Sequence, residues 1–183
     1  TWKNVLRSWI NNGQGGFSLI GQSDFGNSYK DKTLLKQIDV NGDGLIDLLY
    51  LHRSVGNAHA TMCINNGNGT FNQCTTTDSV GGWGEIGSPL SSRILLLDAD
   101  GDGLKDLLSV FNRDGTAHLR VLKNNGNGSF NKVDKDKALM EWSSSHTVIQ
   151  MDVNSDGLAD IVEMNNTSLH TWLSTGMGKF VDS

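Results

Sequence analysis

Short apolar segments alternate with polar, glycine-rich segments along the whole chain. In three similar units, one apolar segment ends at an acidic loop (TLLKQID, RILLLD and TVIQMD) and a second leaves it (LIDLLYL, LKDLLSV and LADIVEM). A third segment approaches a glycine turn (HATMCI, HLRVLK and HTWLS), and a fourth begins at a phenylalanine. Segments of this length, in a chain with 22 glycines and one proline, predict short strands joined by tight turns.

Two series of motifs repeat in phase with a period of 50 to 59 residues. Asn-Gly between apolar segments is a strong hairpin signal, because both turn residues tolerate a positive φ. Four antiparallel strands repeated at this period predict the blades of a β-propeller. The glycine turns end at Phe17, Phe71, Phe130 and Phe180, and the acidic loops begin at Asp39, Asp98 and Asp152.

The predicted fold is all-β, with three full blades and a half blade in a single propeller segment. We place the half blade at residues 1–30 and the full blades at residues 31–80, 81–136 and 137–183. A closed propeller has about four to eight blades. Further blades are therefore expected either from a longer parent chain or from other copies in a homo-oligomer, and the start in mid-blade favours a fragment or a processed product.

The acidic loops have the ligand pattern of a calcium site. Carboxylates or amides occupy positions 1, 3 and 5, position 7 offers its carbonyl, and position 9 returns a carboxylate. Calcium binds six to eight such oxygen atoms in flexible geometry. The second loop, with four carboxylates, is expected to bind most tightly if ligand charge decides. The predicted ligands of the three Ca²⁺ ions are Asp39, Asn41, Asp43, Leu45 and Asp47; Asp98, Asp100, Asp102, Leu104 and Asp106; and Asp152, Asn154, Asp156, Leu158 and Asp160.

Other interpretations of these loops are weaker. Asp-Gly turns without metal would need neither the aspartate at position 9 nor three copies in phase. An EF-hand needs a glutamate at position 12, where the chain has Tyr50, Ser109 and Glu163, and it needs flanking helices. Zinc prefers histidine or cysteine, which the loops lack. Calcium with a purely structural role is the expected case, and an ion that contacts a ligand directly is the alternative.

The D-x-[DN]-x-D-G-x-x-D loops and N-G-x-G-x-F turns resemble the FG-GAP/VCBS-type repeats of calcium-binding β-propellers over nearly the whole chain. Such repeats are known from integrin α-chain heads, from bacterial surface and toxin proteins, and from fungal propeller lectins. The resemblance implies a recognition module that binds glycans or an extracellular protein, outside the cell or at its surface. The alternative is a non-catalytic scaffold segment of a larger toxin, adhesin or enzyme.

Charge and composition narrow the range of partners. Ten of the 20 acidic residues lie in the three loops, and three bound dications would change the formal net charge from −5 to +1. No basic stripe predicts nucleic-acid binding, and no apolar segment approaches the roughly 20 residues of a membrane span. Without a nucleophile elbow, a phosphate loop or a Ser/His/Asp set, no enzyme is expected. A calcium-assisted lyase or hydrolase is the remaining enzymatic alternative.

Two further features concern ligand binding and covalent structure. Tyr29, Trp83 and Trp142 each lie twelve positions after a repeat phenylalanine. They are expected to stack on sugars between blades, as in the lectins that the chain resembles, although packing of blade against blade would use the same residues. Cys63 and Cys74 lie symmetrically about a glycine turn, which predicts a cross-strand disulfide, with two buried thiols as the alternative. A disulfide would imply an oxidising compartment.

Overall fold

A computed structural model describes residues 3–27, 34–54, 57–82, 93–133, 135–143 and 145–183. The regular structure of these residues consists of strands, and none of them lies in a helix that is long and apolar enough to cross a membrane. The strands are β1 (Lys3–Asn11), β2 (Phe17–Asn27), β3 (Leu34–Ile38), β4 (Asp47–Ser54), β5 (Asn57–Asn65), β6 (Phe71–Gly82), β7 (Ile94–Leu97), β8 (Asp106–Arg113), β9 (Thr116–Asn124), β10 (Phe130–Lys132), β11 (Lys137–Glu141), β12 (Thr147–Met151), β13 (Asp160–Met164), β14 (Leu169–Ser174) and β15 (Phe180–Asp182).

The strands form one hairpin and three larger antiparallel sheets. The hairpin is β1–β2, the first sheet has the order β3-β4-β5-β6, and the last has the order β12-β13-β14-β15. The middle sheet has the order β7-β8-β9-β10, and β11 also pairs with β9. Each sheet is a meander in chain order, so the predicted fold class, with a half blade and three full blades, is confirmed. We call the three sheets the first, second and third blades.

The blades extend further along the chain than the sequence boundaries placed them. Strand β6 continues to Gly82, past the expected end of the first blade at residue 80. Strand β11 pairs with β9 through Glu141, so the second blade continues past residue 136. In the second blade the fourth strand is interrupted, since it stops at Lys132 and resumes at Lys137.

The hydrophobic core lies between neighbouring blades. Successive residues of a strand point to opposite faces of its sheet. On β8, Leu107 and Phe111 belong to a cluster shared with the first blade, whereas Leu108 and Val110 belong to a cluster shared with the third. The apolar run of β8 is therefore continuous rather than alternating, because the second blade is covered on both faces.

The sheets at either end of the described chain leave large apolar side chains in contact with solvent. In the half blade, Trp9 is 55% exposed and Phe17 is 66% exposed. In the third blade, Leu169 and Met177 are 66% and 69% exposed. Exposed apolar surface of this extent is typical of interaction surfaces rather than of the outside of a monomer.

The predicted disulfide is present. Cys63 on β5 and Cys74 on β6 are bonded to each other, and the Cys63 residue is completely buried. The bond joins the third and fourth strands of the first blade across their glycine turn. It fixes that hairpin covalently, at the turn that faces the half blade.

Candidate functional site

Each acidic loop joins the first strand of a blade to the second. The glycines at position 6, Gly44, Gly103 and Gly157, have φ values of 83°, 88° and 87°, a left-handed conformation that strains any residue with a Cβ. The loop sequence D-x-[DN]-x-D-G therefore fixes a backbone path as well as a set of oxygen atoms.

The aspartate at position 1 holds the loop in this path. Asp39 accepts hydrogen bonds from the backbone N–H groups of Gly42 and Gly44 at 2.8 and 2.9 Å. Asp98 accepts the corresponding bonds from Gly101 and Gly103 at 2.7 and 2.8 Å. In these two loops the first carboxylate thus holds the turn by accepting backbone N–H groups of the same loop.

The aspartate at position 9 is completely buried in all three loops and connects two motifs of the repeat. One carboxylate oxygen accepts the N–H of loop position 2, and the other accepts the N–H of the first residue of the glycine turn. The bonds are Val40 to Asp47 at 3.0 Å and Asn65 to Asp47 at 2.7 Å, Ala99 to Asp106 at 2.9 Å and Asn124 to Asp106 at 2.8 Å, and Val153 to Asp160 at 2.9 Å and Ser174 to Asp160 at 2.8 Å.

This double contact explains why the acidic loops and the glycine turns repeat in phase. A buried carboxylate needs hydrogen-bond donors, and the glycine turn of the same blade supplies one of them. The sequence prediction treated the ninth aspartates only as metal ligands. The spacing of 18 residues, shared by Asp47 to Asn65 and Asp106 to Asn124, was the available signal for the second role, and the third blade has the same contact at a spacing of 14.

The second loop brings three carboxylates closest together. Oxygen atoms of Asp98, Asp100 and Asp106 all lie within 4.8 Å of one another. Hard oxygen ligands at this spacing fit a calcium ion. In the first loop the amide of Asn41 instead donates to Asp43 at 2.9 Å, and Asn154 donates to Asp156 in the same way at 2.8 Å in the third.

Asp106 lies in an environment that disfavours its charge. Burial raises the pKa of its carboxyl to about 6, against the opposing effect of the N–H groups of Asn124 and Ala99, and the charges of Asp100 and Asp102 raise it further. A cation held among these carboxylates would reverse this effect, because an opposite charge favours the ionised form.

One cation of the protein already contacts the second loop. The Lys123 ammonium forms an ion pair with Asp100 and lies 3.2 Å from Asp102. Hydrogen bonds to these two carboxylates raise the pKa of Lys123. Ile64 and Leu173 occupy the equivalent position in the other blades. The expectation that the second loop binds most tightly counted its carboxylates and omitted this lysine.

Of the three aromatic residues predicted to bind sugars, Trp142 is described, whereas Tyr29 and Trp83 lie outside the described residues. Trp142 is half-buried and packs against the core between the second and third blades. The guanidinium carbon of Arg93 lies 4.0 Å from its ring centroid, and the His146 ring meets it edge-on at 5.5 Å. Trp142 therefore has the blade-to-blade contacts that the alternative interpretation required, and its sugar-binding role stays a prediction.

The sequence analysis did not predict a buried polar cluster next to Trp142. His146 is 3% exposed, and its Nε2 contacts one carboxylate oxygen of Glu163, which is completely buried. The indole Nε1–H of Trp172 donates to the other oxygen of Glu163 at 2.9 Å. A glutamate inside the apolar segment LADIVEM was the available signal, because a buried carboxylate requires a cation or donors.

The comparisons with known proteins agree with this architecture. A family model of FG-GAP-like repeats matches residues 39–109 and 98–162, which together make up more than half of the chain. No curated protein matches the chain.

The solved structures that are similar to the chain include a fungal lectin and a bacterial toxin pore. One is a lectin of Agrocybe aegerita described for its specific recognition of non-reducing terminal N-acetylglucosamine, with a TM-score of 0.64, 23% identity, and coverage of 96% of this chain and 45% of the lectin chain. The other is the Tc holotoxin pore of Photorhabdus luminescens, with a TM-score of 0.44, 20% identity, and coverage of 98% of this chain and 8% of that chain. The chain thus spans less than half the length of the lectin, whose fold it shares.

Proposed function

The chain belongs to the family of FG-GAP-like repeats, and we propose that it is a calcium-stabilised β-propeller module that recognises glycans or a protein partner at the cell surface or outside the cell. The calcium part of the proposal rests on the close approach of the carboxylates of Asp98, Asp100 and Asp106. Burial disfavours the charged form of Asp106, so a cation at this place would stabilise it. The recognition part is supported by the fold shared with the lectin over 96% of this chain.

The calcium proposal assigns one ion to each acidic loop. Its ligands are the carboxylates and amides at positions 1, 3, 5 and 9 and the carbonyl at position 7, as the sequence predicts. A bound dication would supply the positive charge that the clustered carboxylates lack. Since position 9 is also bonded to the glycine turn, the ion would stabilise the junction of three strands in each blade.

The glycan proposal places the sugar-binding surface at Tyr29, Trp83 and Trp142. Aromatic rings stack on the apolar faces of sugars, and Trp142 lies at a junction between blades. Since Arg93 covers one face of the Trp142 ring, a sugar would stack on the opposite face. Terminal N-acetylglucosamine is the first sugar to test, because it is the one that the lectin with this fold recognises.

Calorimetric titration of the calcium-loaded protein with N-acetylglucosamine oligomers tests the glycan proposal. Binding is expected to weaken at least about tenfold in Trp142→Ala, the size of effect that loss of a stacking contact gives. Trp9→Ala removes an exposed indole far from Trp142 and serves as the control. Equal binding by Trp142→Ala and the parent would contradict the role of Trp142, and an array of glycans without any signal would contradict the lectin function as a whole.

The second candidate function is a scaffold segment within a larger assembly, and it rests on the exposed apolar surface at both ends of the blade array. Trp9 and Phe17 on one end, and Leu169 and Met177 on the other, are expected to pack against further blades. Native mass spectrometry with and without calcium tests this. Multiples of 19.9 kDa would indicate assembly of copies, whereas a monomer that binds no glycan would favour blades from a longer parent chain.

An extracellular location is part of the proposal. The disulfide between Cys63 and Cys74 is the supporting observation, because such bonds persist in oxidising compartments. Thiol labelling of the protein isolated from its source provides the test. Labelling of both cysteines in the freshly isolated protein, after unfolding without reductant so that the buried Cys63 is accessible, would contradict this location.

A further inference from the structure

The fourth strand of the second blade is divided into two strands, β10 and β11. Lys132 on β10 pairs with Leu122, and Lys137 on β11 pairs with Leu119, so five steps along this strand correspond to three steps along β9, and the strand bulges between these pairs. The first blade also has register shifts between β5 and β6, but there β6 is a single strand over Phe71–Gly82. Bulges of this kind redirect side chains at sheet edges and near functional sites.

A cavity of about 400 Å³ opens between this bulge and the third blade. Its apolar wall includes Leu119, Val121 and Phe180, of which Leu119 and Phe180 are 2% and 6% exposed. Its volume lies within the range of about 300 to 1,000 Å³ that is typical of small-molecule sites, and a mostly apolar wall with few polar groups is the usual composition of such sites.

The rim of the cavity carries a concentration of positive charge. Lys135, Lys137 and Lys179 line it together with Asp136. The Lys137 ammonium lies 5.3 Å from the ring centroid of Trp172, which draws the cation toward the third blade. These lysines come from two different blades, so the charge arises from the junction rather than from one strand.

Other cations already surround the carboxylate of Asp136, so its charge is offset before Lys137 and Lys179 are counted. Arg120 donates to it at 2.8 and 2.9 Å, Arg113 donates at 2.7 Å, and Lys132 lies at 2.8 Å. Burial alone would raise the pKa of this carboxyl, but the hydrogen bonds from Arg120, Lys132 and Arg113 hold the pKa of Asp136 below its usual range. Among the residues of this region that the structure describes, positive charge remains in excess.

We propose that this cavity binds a small organic anion with an apolar body, such as a medium-chain carboxylate. The apolar body lies against Leu119, Val121 and Phe180, and the anionic group lies at the rim near Lys137 and Lys179. The combination of a buried apolar wall with a cationic rim selects this ligand class over neutral sugars, which lack both the charge and the long apolar body. None of the described residues that line the cavity belongs to an acidic loop, and Trp142 is not among them.

The test is a heteronuclear NMR titration of the calcium-loaded protein with octanoate, with octanol as the uncharged ligand of equal chain length. Octanoate is expected to shift the amide signals of Gly178 and Phe180 and to bind at least about tenfold more tightly than octanol, since it adds an ion pair in a partly desolvated site. Affinity is also expected to rise about threefold to fourfold per methylene from hexanoate to decanoate.

Charge variants locate the site. Lys179→Gln and Lys137→Gln are each expected to weaken octanoate binding about fivefold, whereas Lys36→Gln on the first blade leaves it unchanged. Lys179 lies in an exposed turn, so its variant remains informative if Lys137→Gln disturbs the packing on Trp172. Equal binding of octanol and octanoate, unchanged binding in Lys179→Gln, or no binding at millimolar octanoate would each overturn the proposal. None of these results depends on whether the protein binds a glycan.

Discussion

The second blade contains two buried aspartates whose surroundings are opposite in charge. Asp106 is completely buried, and its pKa is raised to about 6, by burial first and then also by the carboxylates of Asp100 and Asp102. The Asp136 side chain is 4% exposed, and hydrogen bonds from surrounding cations outweigh its burial and hold its pKa below the usual range. The surroundings of Asp106 thus disfavour the charged carboxylate, whereas those of Asp136, in the same blade, favour it.

The difference lies in where the compensating charge comes from. Around Asp136 the chain supplies Arg113, Arg120 and Lys132, so the ion cluster is complete within the protein. Around Asp106 the chain supplies two backbone N–H groups and three further aspartates of the loop, with Lys123 as the cation in contact. The first arrangement is self-sufficient, whereas the second is suited to an external cation. The following predictions test this contrast.

Removal of calcium is expected to have the largest effect. When the free calcium concentration is about a hundred times the dissociation constant of a site, binding at that site adds about 2.7 kcal/mol to the free energy of unfolding. The contributions of three such sites add. Calorimetric melting in excess chelator should therefore show a large fall in Tm. Asp98→Asn is expected to reduce this fall, whereas Asp136→Asn leaves it unchanged. An identical Tm with chelator and with calcium would contradict the proposal that bound calcium stabilises the fold.

Asp106→Ala is expected to follow in size, with a loss of about 3 to 5 kcal/mol in the free energy of unfolding. The variant leaves the N–H groups of Ala99 and Asn124 without their acceptor in a buried place. Asp102→Asn, at the exposed side of the same loop, is the matched control and should cost less than about 1 kcal/mol. Denaturant titration in excess chelator measures both values without the contribution of bound calcium. If the two variants were equally stable, the buried ninth aspartate would not connect the loop to the glycine turn as described.

Asp136→Asn is expected to cost about 1 to 3 kcal/mol at neutral pH, because two of its three cationic partners are partly exposed to solvent. The folded-state pKa of Asp136 lies below its unfolded value, so its stabilisation is present above pH about 4 and is lost as the pH falls through the folded pKa. Denaturant titrations of the parent and the variant should therefore differ by a constant amount at neutral pH and converge in acid. A difference that grew as the pH fell would contradict this assignment.

The periodic pattern of the sequence was sufficient to predict the blades, because each strand pair is local in the chain. The starts of β2, β6, β10 and β15 at the four repeat phenylalanines follow the prediction. The end of the second blade did not follow it, because the polar segment KVDKDK interrupts the fourth strand without ending it. A bulge leaves no periodic signal when its neighbours are charged.

The candidate site was predicted less completely than the fold. The acidic loops carry their own oxygen ligands in nine consecutive positions, so the pattern is visible in the sequence. The contacts of Asp106 with Asn124, of Asp100 with Lys123 and of Asp136 with its two arginines join residues 16 to 23 positions apart. Such contacts depend on strand register and on the bulge, which a single sequence does not specify.

Lys123→Gln is expected to give the smallest effect and to sharpen the contrast between the two aspartates. Lys123 offsets part of the negative charge of the acidic loop, as the three cations do for Asp136. It therefore competes with an external cation for Asp100 and Asp102. Its removal should therefore raise the calcium affinity of the second loop about fivefold, as measured by competitive titration with a calcium indicator. The reciprocal variant Ile64→Lys should lower the affinity of the first loop, and Lys105→Gln controls for a general change of charge. If Lys123→Gln bound calcium more weakly, the lysine would support the site rather than compete with the ion.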